Sequence, residues 1–155
     1  MQNPFLMRAI EIARDNVRAA AGGPFGAVLV KDGAIVGEGA NHVTTAKDPT
    51  AHAEIVAIRA ACRHLDSFQL NGCEIYSSCE PCPMCLAAIY WSRIGKIYYA
   101  SSRDDAARAG FDDDFLYREI ALPPAGRSLP IEHLACEQAN QIFEDWRNDH
   151  RKIRY

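Results

Sequence analysis

Residues 73–101 read CEIYSSC-EPCPMCLAAIYWSR-IGKIYYAS, hyphenated here into three pieces. Cys73 to Ser78, centred on Ile75 and Tyr76, reads as a strand. Cys79-Glu80-Pro81 breaks it. A helix then starts at about Cys82 and continues through Leu86, Ala87, Ile89 and Tyr90 to about Arg93. Ile94 to Ser101 is a second strand. Strand, helix and strand in succession predict a parallel pair joined by a right-handed crossover. Upstream, the apolar run Phe25–Lys31 and the stretch Ala34–Asn41 flank Asp32-Gly33, a two-residue hairpin signal, so the sheet also contains an antiparallel pair.

The helices follow from periodicity. Phe5, Leu6, Ala9, Ile10, Ala13 and Val17 recur at helical spacing over Asn3–Ala21. Asn3 is the expected N-cap with Pro4 at the first helical position, and Gly22-Gly23-Pro24 stops the helix. Val43 to Thr50 reads as a loop, and Ala51–Leu65 as a helix with Thr50 as N-cap. Beyond residue 101, Arg103–Asp114 is a polar, acidic segment and Phe115–Leu122 a helix ended by Pro123-Pro124-Ala125-Gly126. Leu129–Leu134 reads as a short strand and Cys136 to about Arg151 as a final helix. The expectation is one α/β domain over 1–155, with helices on both faces of a mixed central sheet of about five strands.

Composition agrees. The chain has 155 residues, 48% hydrophobic and 24% charged, which excludes disorder and fits one globular core. No apolar run is long enough to span a membrane, and the N-terminus lacks a secretory pattern. Six cysteines without an export signal suggest a reducing, cytoplasmic setting. Cys62, Cys73 and Cys136 read as buried small apolar residues, and Cys79 as a packing or capping residue. A net charge of −3 does not favour a nucleic-acid partner. Arg147, Arg151, Lys152 and Arg154 near the end are interleaved with or preceded by Glu144, Asp145 and Asp149, and so read as a mixed solvated face.

The chemistry is concentrated between His52 and Cys85. His52-Ala53-Glu54 is followed downstream by Pro81-Cys82-Pro83-Met84-Cys85. One imidazole and two thiols are three zinc ligands, which leaves the fourth tetrahedral position to water. Cys82 and Cys85, three apart at a helix start, project from one face. The positive end of the helix favours their thiolate forms. If the two helix N-termini face one another, the three ligands converge. Glu54 is then a spare carboxylate beside a water whose pKa zinc lowers towards neutrality, placed to carry a proton from that water to a leaving amine. A structural zinc with a fourth protein ligand is the competing reading. Glu80 is the available fourth ligand, but it is expected instead to orient the loop. Asn41, polar at a strand end, is either a loop-fixing residue or a ligand contact.

These motifs resemble the cytidine deaminase superfamily, whose His-x-Glu and Pro-Cys-x-x-Cys signature they carry. Gly23-Pro24-Phe25-Gly26-Ala27, Asp48-Pro49-Thr50-Ala51-His52-Ala53-Glu54 and Ser78–Cys85 extend the likeness across the chain. Ala88–Arg93, Ala109–Asp113 and the tail Arg151-Lys152-Ile153-Arg154-Tyr155 are similar to the bacterial guanine deaminase family within it. The resemblance implies a cytidine-deaminase-like three-layer fold and zinc-dependent hydrolysis of guanine to xanthine and ammonia. It implies His52, Cys82 and Cys85 as zinc ligands and Glu54 as the proton shuttle. It further implies Asn41 and Asp113 as polar contacts to a purine base, Phe25 as an aromatic packed on it, and a homodimer; Trp91 either closes the pocket as a second aromatic wall or packs within the fold. In that dimer a C-terminal segment of about 120–155 is swapped, so that Tyr155 completes the neighbour's site. The rival activities are deamination of adenosine in tRNA, or of another free base or triazine such as cytosine or ammeline. A non-catalytic zinc-binding protein is the rival of a different class, and the spare Glu54 argues against it.

Overall fold

The computed structural model describes residues 3–155. Four strands form its sheet: β1 (Gly26–Lys31), β2 (Ala34–Ala40), β3 (Cys73–Cys79) and β4 (Lys96–Ser101). They lie in the order β2-β1-β3-β4. β1 is antiparallel to both β2 and β3, and β3 is parallel to β4. The sheet is therefore mixed, as expected, with four strands rather than about five. The missing one is Leu129–Leu134, which is irregular and exposed. Pro130 removes a ladder donor there, so apolar content alone does not make this stretch a strand.

Asp32 and Gly33 form the two-residue turn between β1 and β2, both with positive φ (50° and 76°). That is the conformation an Asp-Gly hairpin supplies at low cost. Alternation along β1 and β3 separates two cores. Ala27, Leu29 and Ile75 face one way and pack with Ala53, Ala57, Ile58, Ala61 and Ile89. Val28, Val30 and Tyr76 face the other way and pack with Ala9, Phe5, Leu6 and Ile12. The first group of helical residues belongs to α3 (Ala53–His64) and α4 (Pro83–Trp91), and the second to α1 (Pro4–Arg18). This is a three-layer α-β-α arrangement, with the sheet's period of two assigning each residue to its layer.

α1 begins as its cap predicts: Asn3 Oδ1 accepts from the backbone N–H groups of Phe5 (3.0 Å) and Leu6 (3.2 Å). Gly39 on β2 sets the height of α3. A Cβ there would lie 2.2 Å from the Ala53 carbonyl oxygen and 2.5 Å from the Ala57 nitrogen. Only glycine admits so close a helix, and the helix end it admits is the one bearing His52 and Glu54.

Several boundaries differ from the sequence reading. Val43–Ala46 forms a short helix, α2, inside the expected loop. α3 starts two residues later than expected, with His52 rather than Thr50 as its cap. Asp48 Oδ1 captures both the Thr50 N–H (2.8 Å) and the Thr50 hydroxyl (2.7 Å), so that hydroxyl is unavailable to the helix. The acidic segment contains α5 (Arg103–Arg108), closed by a capping box between Ser102 and Asp105. α6 spans Asp113–Ala121 and α7 spans Glu137–Asn148. Cys73 is buried and Cys62 half-buried, but Cys136 is exposed, as the N-cap of α7, a helix with no buried residue.

The chain divides into two units, residues 1–117 and 118–155. The first holds the sheet, α1 to α5 and the start of α6. The second holds the rest of α6, a 3-10 turn at Pro124–Gly126 and α7, and none of its residues is buried. No helix among the described residues is long and apolar enough to cross a membrane.

Candidate active site

The site forms where α3 and α4 begin. His52 caps α3 and Cys82 caps α4, each with extended backbone (φ, ψ of −68°, 156° and −67°, 167°). Neither side chain caps its own helix, so both are free to turn inward. Pro83 occupies the first helical position of α4, where a missing N–H costs nothing, and Cys85 follows one turn from the cap. His52 Nδ1 lies 3.5 Å from both Cys82 Sγ and Cys85 Sγ. All three candidate ligand atoms fall within 4.8 Å of one another.

These distances suit a tetrahedral metal. Zinc–sulfur and zinc–nitrogen bonds of about 2.3 Å and 2.05 Å at the tetrahedral angle place N and S about 3.5 Å apart. The donors are one imidazole and two thiols, a borderline-soft set that selects zinc over calcium or magnesium. The three groups also polarise one another. Hydrogen bonding from Cys85, with help from His52, holds Cys82 down to about 4. The same bond and burial push Cys85 far up, and the bond to Cys82 raises His52.

Glu54, two residues beyond the His52 cap, is 6% exposed. Burial raises its pKa above the ordinary carboxylate range. The Ser77 hydroxyl on β3 donates to its Oε1 at 3.0 Å. Burial thus favours the protonated form of Glu54, and the Ser77 bond opposes it in favour of the ionised one.

A cavity of about 370 Å³ opens over these groups, lined by Phe25, Asn41, His52, Glu54, Cys82 and Asp113, among others. All six were singled out from the sequence, and Asn41 comes from the end of β2. Asn41 is 7% exposed, and its Oδ1 accepts from the backbone N–H groups of Gly23 and Val43, both at 3.3 Å. Its acceptor side is thereby used, which leaves its amide nitrogen as the group to meet a ligand. Burial, then the Cys82 charge, raises the carboxyl of Asp113.

Trp91 is not part of this wall. It is 63% exposed at the last turn of α4, nine residues long, and so about 12 Å along the axis from the Cys82 end. Tyr155 belongs to the second unit and is exposed.

Some site residues escaped the sequence reading. Phe111 lines the cavity and meets Phe25 edge-on, with centroids 4.8 Å apart and planes at 82°. Val43 and Thr44 line it from α2. Ser77 supports Glu54, and its one available signal was a hydroxyl in the middle of an apolar strand. Glu80, expected from the sequence to orient the loop, ties it down and also lines the cavity. Its Oε2 accepts from the Arg103 N–H (3.1 Å), its Oε1 lies 3.7 Å from Arg103 Nε, and its own N–H reaches the Ser101 carbonyl (2.8 Å). Cys79 is buried with its thiol towards the Ser102 carbonyl (3.5 Å), a packing residue that burial pushes up to about 11.

Comparison with known proteins supplies the family. Residues 1–101 match the model of the cytidine and deoxycytidylate deaminase zinc-binding region. Guanine deaminase of Bacillus subtilis is 53% identical over 151 residues, 97% of each chain. The X-ray structure of guanine deaminase from that organism superposes with a TM-score of 0.96 over 99% of each chain, at 52% identity. A tRNA-specific adenosine deaminase of Aquifex aeolicus is 49% identical over 123 residues, 79% of each chain. The donor set fits the metal that this family model names, and zinc is the cofactor. The chain is a member of the cytidine and deoxycytidylate deaminase family of zinc enzymes.

Proposed function

We propose that the protein hydrolyses guanine to xanthine and ammonia. The observation that carries the substrate is the likeness to guanine deaminase, 53% identity sustained over 97% of the chain. The family model stops at residue 101, whereas that likeness continues through 97% of the chain and so includes Phe111 and Asp113. Zinc held by His52, Cys82 and Cys85 supplies a water acidic enough to lose a proton near neutrality.

The chain's own residues do the rest. Phe25 and Phe111 supply an apolar slot for a flat base. The Asn41 amide donates to an acceptor on its edge, while Asp113 accepts from ring or amino N–H groups; a purine with both kinds of group satisfies the pair. Glu54 takes one proton from the attacking water and hands it to the ring nitrogen as the carbon–oxygen bond forms, then carries the second from the new hydroxyl to the amino nitrogen, so that the carbonyl forms and the carbon–nitrogen bond breaks with loss of ammonia. Its raised pKa suits both halves of that transfer.

The protein is further read as one domain whose segment of about 120–155 is exchanged in a homodimer, with Tyr155 reaching the partner's cavity. The exposure of Leu129, Leu134, Ile142 and Phe143, between 67% and 79%, supports this reading, since a segment that buries nothing needs a surface to cover it. Trp91, also exposed at 63%, fits such an interface better than a cavity wall. A free base as substrate and a net charge of −3 make nucleic acid an unneeded partner, and a cytoplasmic site is consistent with six unpaired thiols.

The test is ammonia release from guanine, adenine, cytosine, cytidine, ammeline and tRNA in parallel. Guanine is expected to be the preferred substrate. Turnover confined to cytosine or to tRNA would overturn the proposal. Removal of Tyr155 should raise KM or lower kcat, and an unchanged enzyme would count against the exchanged tail.

A further inference from the structure

Asp113 stands in the first turn of α6, a helix with no fully buried residue. Something other than core burial must hold its carboxylate at the cavity. One turn further on, at the i+4 position and hence on the same face, the Tyr117 hydroxyl donates to the carbonyl of Pro81 at 2.9 Å. Pro81 immediately precedes Cys82. The Arg103 guanidinium lies 4.6 Å from the centroid of the Tyr117 ring, and the same Arg103 is bound through its backbone and side chain to Glu80. Upstream of Asp113, the edge-on contact between Phe111 and Phe25 fixes the segment's other side.

We propose that Tyr117 is a positioning residue for the reaction: its bond to Pro81 pins the first turn of α6 to the loop carrying Cys82, and so sets Asp113 relative to the metal. The proposal rests on the reading of Asp113 as a base contact. It assigns Tyr117 no contact with the substrate. Through this bond, the distance between base recognition and the reacting centre depends on one hydroxyl and one carbonyl rather than on the packing of a whole helix.

Tyr117→Phe keeps the ring over Arg103 and removes only the hydroxyl. Loss of one such bond is expected to raise KM for guanine about threefold to tenfold, with kcat changed by less than about twofold and zinc content unaltered. In an Asp113→Asn background the same change should have no further effect on KM, because the group it positions is gone. Calorimetric titration with guanine in a Glu54→Gln background reads the same cycle where turnover is slow. An unchanged KM, an equal effect in both Asp113 backgrounds, or loss of zinc would each overturn the proposal. A wild-type protein inert towards guanine would overturn the substrate reading instead, and the cycle would then be run with whichever base the panel shows to be deaminated.

Discussion

Replacing Ser77 by alanine should move the acid limb of the pH profile of kcat/KM to higher pH. The hydroxyl donates to Glu54 Oε1 at 3.0 Å, and the two residues are 1% and 6% exposed, so bulk water does not replace the lost donor. A hydrogen bond to a charged acceptor is worth about 1.5–3 kcal/mol, and one pKa unit corresponds to about 1.36 kcal/mol, which gives a shift of roughly one to two units. The sign follows from which form the bond favours. It stabilises the ionised carboxylate, so removing it raises the pKa further in the direction burial already drives. The base must be ionised to accept a proton, so the variant gains activity only at higher pH. Well below both limbs it should be slower by about tenfold to a hundredfold, while the plateau stays within a few fold. The assay is ammonia release from subsaturating guanine across the acid and neutral range. An acid limb that does not move would refute the assignment of that limb to a Ser77-supported Glu54.

Three further outcomes are expected. Glu54→Gln should retain zinc by metal analysis yet lose about 10²- to 10⁴-fold in kcat, and loss of the metal in that variant would mean Glu54 has been misassigned. Gly39→Ala forces a Cβ to within 2.2 Å of the Ala53 carbonyl oxygen, so it should lower the melting temperature by about 3–10 °C and weaken zinc retention; a fully stable variant would show that α3 can back away from β2. In the zinc-loaded enzyme a thiol reagent should leave Cys82 and Cys85 unlabelled and activity intact. After chelation Cys82 should become reactive and activity should fall, recoverable by zinc only where the reagent is withheld, and labelling unaffected by the chelator would argue against Cys82 as a ligand.

What could be read from the sequence was whatever is encoded locally. The Asp32-Gly33 turn, the Asn3 cap and the strand-helix-strand run through Cys85 depend on neighbours along the chain, and periodicity reveals them. The spacing of His52, Glu54, Cys82 and Cys85 revealed the metal chemistry because few other uses require that combination. Hidden from the sequence were features made by contact between distant segments. Ser77 acquires its importance from Glu54 across the layer, Phe111 from Phe25, and Tyr117 from Pro81. Trp91 illustrates the converse, since an aromatic on the ligand-bearing helix reads as a pocket wall until the helix length puts it at the far end. Thr50 and Leu129–Leu134 misled for local reasons, a competing aspartate and a proline.

Both His52 and Cys82 are helix caps, and 30 residues separate them along the chain. A metal bound there is therefore a clasp between two segments that must first find each other across β3. Ligation closes a loop that the unfolded chain cannot hold closed, and because zinc binds the folded arrangement, its free concentration enters the folding equilibrium directly. Zinc supply would then govern the lifetime of the polypeptide as well as its turnover. Scarcity would be felt as molecules unfolded and degraded, before any shortage of catalysis in those that remain.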